Sequence, residues 1–574
     1  MTLQHGDKIE QLELSLVQNK ISRRHFVKMA VLLGVSLSAA ELTAKSLGDA
    51  AITQKYNSKN LKKNYDYIVV GTGAAGSILA GRLAEETNAS ILVLEAGGTD
   101  QIDEVLNPSL WPKNIRSERD WMYTAEPSEY VNGRSIMLPM GKVVGGGTSV
   151  NVMLWARGHK NDFEHWASET DNDAWSYKNV LEMYKRMENY QGSTDSKRRG
   201  KGGKVWVGQA ENPHPIGPAL LKAANANGYK AYNDTNGKMM EKKGGAALTD
   251  LLIKDGRRKS IASDYLYTAL NNPNITLLTG ATVLKVNLKN TKVTGLVFEK
   301  DGKEHIVNAD KRVVLSAGAM NTPKILMQSG IGRSQDLREV GIKPLHDLQG
   351  VGESFQDHVL AGGCIWEYKN PIAPKGNFAE ANVFCKSDSK LDTPDIQLVH
   401  IQVPYATATI KTQYPNIPAA SWSLAVGLAR PLSTGTVKLR SSNPKDGLKV
   451  DAGYLKEAAD LTALVRGFEI ARELGNSKEM SQFVKREVLP GKLNKKDMIN
   501  FAKNSAGTYF HQSCTCKMGT DDMSVVDGNL SVYGLENISI ADASVMPRIS
   551  TGNTMAPSVL IGQRMADILI GGVV

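Results

Sequence analysis

Cysteine is scarce, with four residues in a chain of 574. Cys364, Cys385, Cys514 and Cys516 are too few for a disulfide framework. Cys514-Thr515-Cys516 has neither the CxxC spacing nor a partnering histidine pair, so no metal site is expected. That pair reads as small residues lining a buried turn. Long apolar runs are missing too. The run from Met29 to Ala40 is shorter than the ~20 residues a membrane-spanning helix needs. No repeat with a period of roughly 20–50 residues recurs, which excludes a solenoid or propeller. A concentrated basic face is also lacking. The net charge of +10 is scattered along the chain, apart from Lys197-Arg198-Arg199-Gly200-Lys201 in a Gly- and Ser-rich stretch. That stretch is expected to be a solvated loop rather than a nucleic-acid patch, leaving at most a mild preference for acidic partners or an acidic membrane surface.

What is abundant is glycine, at 53 residues, much of it in clusters beside apolar runs where backbone passes close to a ligand. Apolar content of 41% and charged content of 22% are those of an ordinary globular protein, and the length suggests two intertwined domains.

The N-terminus reads as an address. Residues 1–21 are polar and show no fold signal. Ser22-Arg23-Arg24-His25-Phe26-Val27-Lys28 then precedes the short apolar run, the layout of an export signal. The arginine pair with Phe26 and Lys28 resembles the twin-arginine signal, whose machinery moves folded proteins, and implies a periplasmic destination. Residues 1–44 are assigned to this signal, with cleavage near Ala40 or Ala44. The Lys- and Asn-rich stretch 45–63 is expected to be a linker.

Tyr65 to Val70 is apolar and β-branched enough for a buried parallel strand. It runs into Gly71-Thr-Gly73-Ala74-Ala75-Gly76, then an amphipathic helix to Glu86, then a strand Ser90–Leu94 ending at Glu95 and Ala96. Each glycine has a separate task. Gly71 permits the tight turn, Gly73 lets backbone approach a pyrophosphate, and Gly76 brings helix against strand. The helix N-terminus offers unbonded N–H groups to phosphate, and Glu95 is placed to accept from ribose hydroxyls. Strand, glycines, helix, second strand and terminal acid in this order make a dinucleotide-binding unit. The fingerprint by itself does not separate FAD from NAD.

A second glycine loop, Gly141-Lys-Val-Val-Gly145-Gly146-Gly147-Thr148-Ser149-Val150-Asn151, suits a ligand-facing nest, with Asn151 offering an amide. Further on come Val313-Val-Leu-Ser-Ala317-Gly318, then His511-Gln-Ser-Cys-Thr-Cys-Lys-Met-Gly519, Ile538-Ser-Ile-Ala-Asp542-Ala543, and Gly552-Asn553-Thr554-Met-Ala-Pro557 opening a last helix. From about Tyr65 onward the chain resembles the glucose–methanol–choline (GMC) oxidoreductase family. The resemblance implies FAD, alcohol oxidation, and His511 as base with Asn553 as its amide partner. It places Gly145, Gly146 and Asn151 along the flavin, and Val283 at the adenine. Ala317 and Gly318 would form a close passage, and Asp542 would lie near the ribityl–pyrophosphate region. The last helix would aim its positive end at the flavin pyrimidine. Val150 stands where some members carry a flavin-linked His, so noncovalent FAD is implied. Gln512 and Cys514 replace the family's Pro and Gly. A cysteine gives up glycine's easy left-handed conformation, so that loop is expected to differ.

A neutral imidazole beside the ring suits the chemistry, since a hydroxyl proton must leave while hydride departs from carbon. The fold expected is mixed α/β: a Rossmann-like FAD-binding domain (64–165, 245–360 and 505–574) interleaved with an antiparallel-sheet substrate-binding domain (166–244 and 361–504). The leading function is an exported dehydrogenase passing electrons to a quinone or cytochrome. An O2-using oxidase is the close alternative, and a redox-silent lyase of the same fold a more distant one. Residues 361–504 hold Phe378, Phe384, His400, Tyr405, Trp422 and Tyr454, any of which could face the alcohol.

Overall fold

The computed structural model describes residues 21–193 and 195–571, together with 8, 9, 12, 15 and 16. Much of the stretch before Ser22 in the signal assigned to 1–44 thus lies outside the described residues. Helices α1 (Arg23–Leu32) and α2 (Leu37–Lys59) form an N-terminal pair. The Ser22 hydroxyl caps α1 by accepting from the His25 N–H at 3.2 Å. Phe26 and Ala30 bury against Ala40 and Ala44, and Leu16 joins them, so the segment before Ser22 does contribute to packing. The linker expected over 45–63 is helical as far as Lys59. Its polar residues have a task there. The Gln54 amide donates to the carbonyls of Leu270 and Ile275 at 3.1 and 3.0 Å and accepts from the Leu277 N–H at 2.9 Å. These bonds satisfy backbone on an edge strand that would otherwise lie open.

The strands of the two large sheets are, in chain order, β1 (Asn64–Val70), β2 (Ile91–Glu95), β3 (Gly245–Leu248), β4 (Ile275–Thr279), β5 (Thr282–Lys289), β6 (Lys292–Lys300), β7 (Lys303–Leu315), β8 (Val359–Ala361), β9 (Ile365–Tyr368), β10 (Ala381–Cys385), β11 (Ile396–Ile401), β12 (Ser421–Leu428), β13 (Val484–Leu489), β14 (Ala506–Thr508) and β15 (Ile538–Ile540). The first sheet has the order β4-β2-β1-β7-β6-β5, with β15 on the far part of β7. Its β4, β2, β1, β7 and β15 run parallel, and β5, β6 and β7 form an antiparallel meander. The parallel strands read as continuous apolar runs because both faces are covered. Helix α3 (Ala74–Glu86) covers one face, and the helix Met555–Ile570 packs across it.

The second sheet is antiparallel, in the order β13-β9-β12-β11-β10-β3, with β8 bridging β12 and β14. Here the expected boundaries shift. β3, β8 and β14 come from the segments 245–360 and 505–574 but hydrogen-bond into the second sheet. The two domains share their crossing segments, and that sharing carries residues on both sides of β8 and β14 to the seam between sheets.

Helix α4 spans Tyr177–Met187. The basic run beside it is only partly solvated, since Lys197 and Lys201 are exposed but Arg198 is half-buried and Arg199 buried. Arg199 is buried, donating to Glu188 at 2.9 Å and to Asp250 at 2.7 Å, with Asp234 at 3.2 Å. Its guanidinium carbon sits 3.5 Å from the Tyr190 ring centroid. Arg157 completes the cluster on Glu188. Burial opposes the Arg199 charge, but Asp250, Glu188 and Asp234 more than offset it and raise its pKa. Arg198 pairs with Glu241 and Asp195. A local basic run gives no sign of carboxylates arriving from 188, 234, 241 and 250, so the expectation failed at Arg198 and Arg199.

Candidate active site

At the C-terminal ends of β1, β2 and β7 the two sheets enclose a cavity of about 820 Å3. Parallel α/β sheets bind ligands at this end. Of the residues assigned from sequence to cofactor binding or catalysis, all but Gly76 and Gly145 line it: Gly71, Gly73, Ala74, Ala75, Glu95, Ala96, Gly146, Asn151, Val283, Ala317, Gly318, His511, Asp542, Ala543, Asn553 and Thr554. Gly76 and Gly145 serve the walls instead. A Cβ on Gly76 would lie 2.1 Å from the Gly71 carbonyl, so glycine there lets α3 approach β1. Gly145, at φ +85°, donates its N–H to the Thr72 hydroxyl at 3.1 Å and ties the second glycine loop to the first.

The cradle suits a dinucleotide. A Cβ on Gly71 would strike the Ser316 carbonyl at 2.4 Å, whereas one on Gly73 would meet nothing within 4 Å. Gly73 therefore keeps the rim open rather than the packing tight. Gly146 approaches so closely that its Cβ would lie 2.8 Å from the Gly73 Cα. Glu95 accepts from the Thr72 N–H at 3.0 Å, the Thr72 hydroxyl at 2.5 Å and the Gly97 N–H at 2.8 Å. Burial pushes its carboxyl above the usual range, and those donors oppose the shift. Asp542 accepts from the Gly318 N–H (2.9 Å), the Thr322 hydroxyl (2.5 Å) and the Ser544 N–H (2.8 Å), fixing the start of helix α5 (Gly318–Gln328) at the wall.

Two long helices point their N-termini at this space. Neither α3, capped by Gly73, nor α6 (Met555–Ile570), capped by Thr554, has a side-chain cap, so their leading N–H groups remain for a ligand. They cross at Gly562, whose Cβ would lie 2.5 Å from the Ala75 Cα. Arg258, absent from the sequence-based set, anchors the second glycine loop. It donates to the carbonyls of Val105, Thr148 and Asn151 and to Asn151 Oδ1, at 2.6–3.1 Å. Burial pulls its pKa down to about 9.

His511 and Asn553 meet. Asn553 Nδ2 lies 3.2 Å from His511 Nε2, and Asn553 Oδ1 accepts from Gln397 Nε2 at 3.3 Å. The other imidazole nitrogen, His511 Nδ1, lies 2.9 Å from Nδ1 of His358, with the two rings at 90°. Because Asn553 Oδ1 is taken by Gln397, its Nδ2 faces His511 Nε2 as a donor, and Nε2 must accept. His511 consequently carries its proton on Nδ1 and presents the Nε2 lone pair to Asn553 and the cavity. Burial, with the neighbouring His358, holds the His511 pKa well below the usual imidazole value of 6.5. Burial likewise pulls His358 down to about 4. His511 is therefore neutral at neutral pH.

Asp357, also missed from sequence, holds this loop from behind. It accepts from the His511 N–H at 2.9 Å, the Tyr454 hydroxyl at 2.5 Å and the Thr508 hydroxyl at 2.6 Å. Burial raises its carboxyl to about 6. Gln356-Asp357-His358 sits just before β8 and carried no local signal, since another adjacent acid–histidine pair, His346-Asp347, lies in a strand elsewhere in the chain.

The loop with Gln512 and Cys514 departs from expectation in an informative way. Cys514 takes the left-handed conformation anyway, at φ +73°. A non-glycine residue there costs about 1–2 kcal/mol. Its N–H donates to the Ala543 carbonyl at 3.1 Å and its thiol reaches Gln356 Oε1 at 3.6 Å. The loop therefore keeps its glycine-like path. Both Cys514 and Cys516 are buried, as the reading of a buried turn requires. Of the aromatic candidates, Phe378 and Tyr405 line the cavity, whereas Phe384, His400, Trp422 and Tyr454 do not. On β11, Val399 and Ile401 face the cavity and His400 between them faces Trp422, the period-2 alternation of a strand.

A dinucleotide cradle that ends beneath a buried, neutral imidazole is the site of a nucleotide-dependent oxidoreductase. Two family models, both described as GMC oxidoreductase, match residues 65–360 and 431–562. The chain belongs to the GMC oxidoreductase family and is an FAD-dependent oxidoreductase acting on alcohols. It is 34% identical over 544 residues to an oxygen-dependent choline dehydrogenase of Staphylococcus saprophyticus, covering 89% of this chain and 96% of the relative. It is 31% identical over 536 residues to an alcohol dehydrogenase (acceptor) of Pseudomonas putida, covering 88% and 96%. Among solved structures, pyridoxine 4-oxidase from Mesorbium loti superposes with a TM-score of 0.84 at 30% identity, covering 88% of this chain and 98% of that one.

Proposed function

We propose that the chain oxidises an alcohol to an aldehyde or ketone, with His511 removing the hydroxyl proton. The observation that carries this is the Nε2 lone pair of a neutral His511, held 3.2 Å from the Asn553 amide at the cavity wall. FAD, when bound, supplies the hydride acceptor. The chain's own residues do the rest. Nε2 accepts the hydroxyl proton, the Asn553 amide donates to the alcohol oxygen, and His358 keeps the His511 proton on Nδ1. Gly71, Gly73, Gly146 and the uncapped start of α3 would hold the pyrophosphate. The α6 N-terminus would favour negative charge on the reduced ring. Val150 lines the cavity, and among the described residues its wall holds no cysteine and no histidine except His511, which favours noncovalent FAD. Anaerobic mixing of holoprotein with alcohols tests the reading: bleaching of the oxidised-flavin band supports it, and an unchanged spectrum with every alcohol rejects it, leaving a lyase.

His358 is a positioning residue. His358→Ala frees the second tautomer of His511, and flavin reduction should slow on the order of 10–100-fold. His358→Gln, which still offers an acceptor toward Nδ1, should recover part of the rate with unchanged FAD content. Equal rates in the two variants would give His358 no part in tautomer control.

We further propose a dehydrogenase that delivers electrons to a quinone or cytochrome, in line with its likeness to the acceptor-type alcohol dehydrogenase. Its likeness to pyridoxine 4-oxidase favours O2 as a second reading. Reoxidation of reduced flavin by air, measured against a soluble quinone, separates them. Export rests on the pattern Ser22–Lys28. No helix among the described residues is long and apolar enough to cross a membrane. Replacing Arg23 and Arg24 together by Lys should leave the protein in the cytoplasm of a bacterial host that exports the unaltered chain. Equal export of both would remove the twin-arginine reading.

A further inference from the structure

The cavity wall facing His511 carries information about the alcohol, and the inference drawn from it rests on the proposed alcohol oxidation. Tyr509 stacks on the His511 ring, with centroids 4.4 Å apart and planes at 26°. It belongs to an apolar cluster with Leu154, Leu360, Ala379 and Val399, against which Val152, Ile401 and Tyr405 pack. Val403 and Phe378 extend the same wall. β8 and β11 supply the wall because both present their alternate side chains to the cavity.

The carboxylates that reach the cavity are Glu95, Asp120, Glu299 and Asp542. Each is engaged elsewhere. Glu95 and Asp542 brace the glycine turns as described, and Glu299 pairs with Lys445 at 2.6 Å. Asp120 accepts from the N–H groups of Arg116, Met122 and Met140 at 2.8–3.0 Å. The substrate-side wall, among the described residues, holds no carboxylate, and its polar side chains are the neutral hydroxyls of Tyr405 and Tyr509 and the amide of Asn377. The side chain of Asn377 is spent on the Val152 carbonyl at 2.6 Å and the Ala379 N–H at 3.1 Å.

A cation brought into such a pocket loses its hydration with no counter-charge, and a polyol loses several hydrogen bonds with no replacement. The aromatic faces of Phe378, Tyr405 and Tyr509 could compensate a quaternary ammonium in part, but one face of Tyr509 is covered by the imidazole and no carboxylate stands beside them. We infer that the substrate is an uncharged alcohol with an apolar body, aromatic or aliphatic, and that this wall excludes choline and sugar alcohols. The chain would then differ in substrate from the choline dehydrogenases it is similar to.

The test is anaerobic stopped-flow reduction of the holoprotein by benzyl alcohol, 1-octanol, choline and glucose. Benzyl alcohol or octanol should reduce the flavin with a second-order rate constant on the order of 100-fold above that of choline. Choline or glucose as the fastest reductant would overturn the inference while leaving alcohol oxidation intact. Reduction by none of the four, with dithionite still bleaching the band, would reject both. Val403→Glu adds the missing carboxylate at a half-buried position on the wall. With the melting temperature and flavin spectrum retained, it should move the choline-to-benzyl alcohol ratio upward at least about 10-fold. An unmoved ratio would show that the substrate does not touch this wall, and would overturn the inference.

Discussion

His511→Ala should keep FAD bound yet slow flavin reduction by an alcohol on the order of 10²–10⁴-fold, the usual contribution of a positioned general base. The size of the effect follows from the geometry. The imidazole is held on three sides: Tyr509 against its face, His358 at Nδ1 and Asn553 at Nε2. An alanine removes the lone pair and leaves an apolar space in which nothing else among the cavity residues can take a proton at that point. Asn553, an amide, cannot. The pH profile provides a second check. Protonation disables the base, and burial together with His358 lowers the pKa of His511. The unaltered enzyme should therefore keep its reduction rate as pH falls past the ordinary imidazole value of about 6.5, losing it only well below. An unchanged reduction rate in His511→Ala, or an acid limb centred above that value, would move the base elsewhere.

Arg199→Met should destabilise the fold by about 3–5 kcal/mol without touching the cavity chemistry. Glu188, Asp234 and Asp250 would be left crowded in a buried space with only Arg157 on Glu188 to answer them. Uncompensated buried carboxylates are the expensive element, more than the lost ion pairs themselves. The double variant Arg199→Met, Asp250→Asn should recover part of the loss, because it removes one of the stranded charges. Lys197→Ala, in the same basic run, should change stability by less than about 0.5 kcal/mol. Chemical denaturation followed by flavin release would measure all three. A midpoint for Arg199→Met equal to that of Lys197→Ala would show that the cluster is held by its surroundings rather than by the guanidinium.

What could be read in the sequence was local. Tyr65 to Glu95 announced strand, turn, helix and strand through apolar runs and glycine spacing, and the structure has β1, α3 and β2 there. Gly71, Gly73 and Gly76 act within a few residues of themselves, so pattern and physics coincide. His511 and Asn553 were reached through the family resemblance, since nothing within 42 residues of chain says that their side chains touch. Asp357 and His358 escaped because their partners, Thr508, Tyr454 and His511, lie some hundred or more positions away.

The misreadings share that cause. A basic run at 197–201 looked solvated because its carboxylates are contributed by distant segments, and a Lys- and Asn-rich stretch looked like a linker because the edge strand it satisfies lies more than 200 residues on. Cys514 was expected to bend the loop away, but the hydrogen bonds of its neighbours to β15's exit hold the left-handed turn regardless. The sequence by itself determined the nucleotide-binding unit, because short-range backbone geometry decides it, whereas FAD and His511 were reached only through the family resemblance. Only the tertiary structure decided which imidazole nitrogen is free, what holds it there, and that the opposite wall is apolar, because those depend on strands from both domains meeting at one seam.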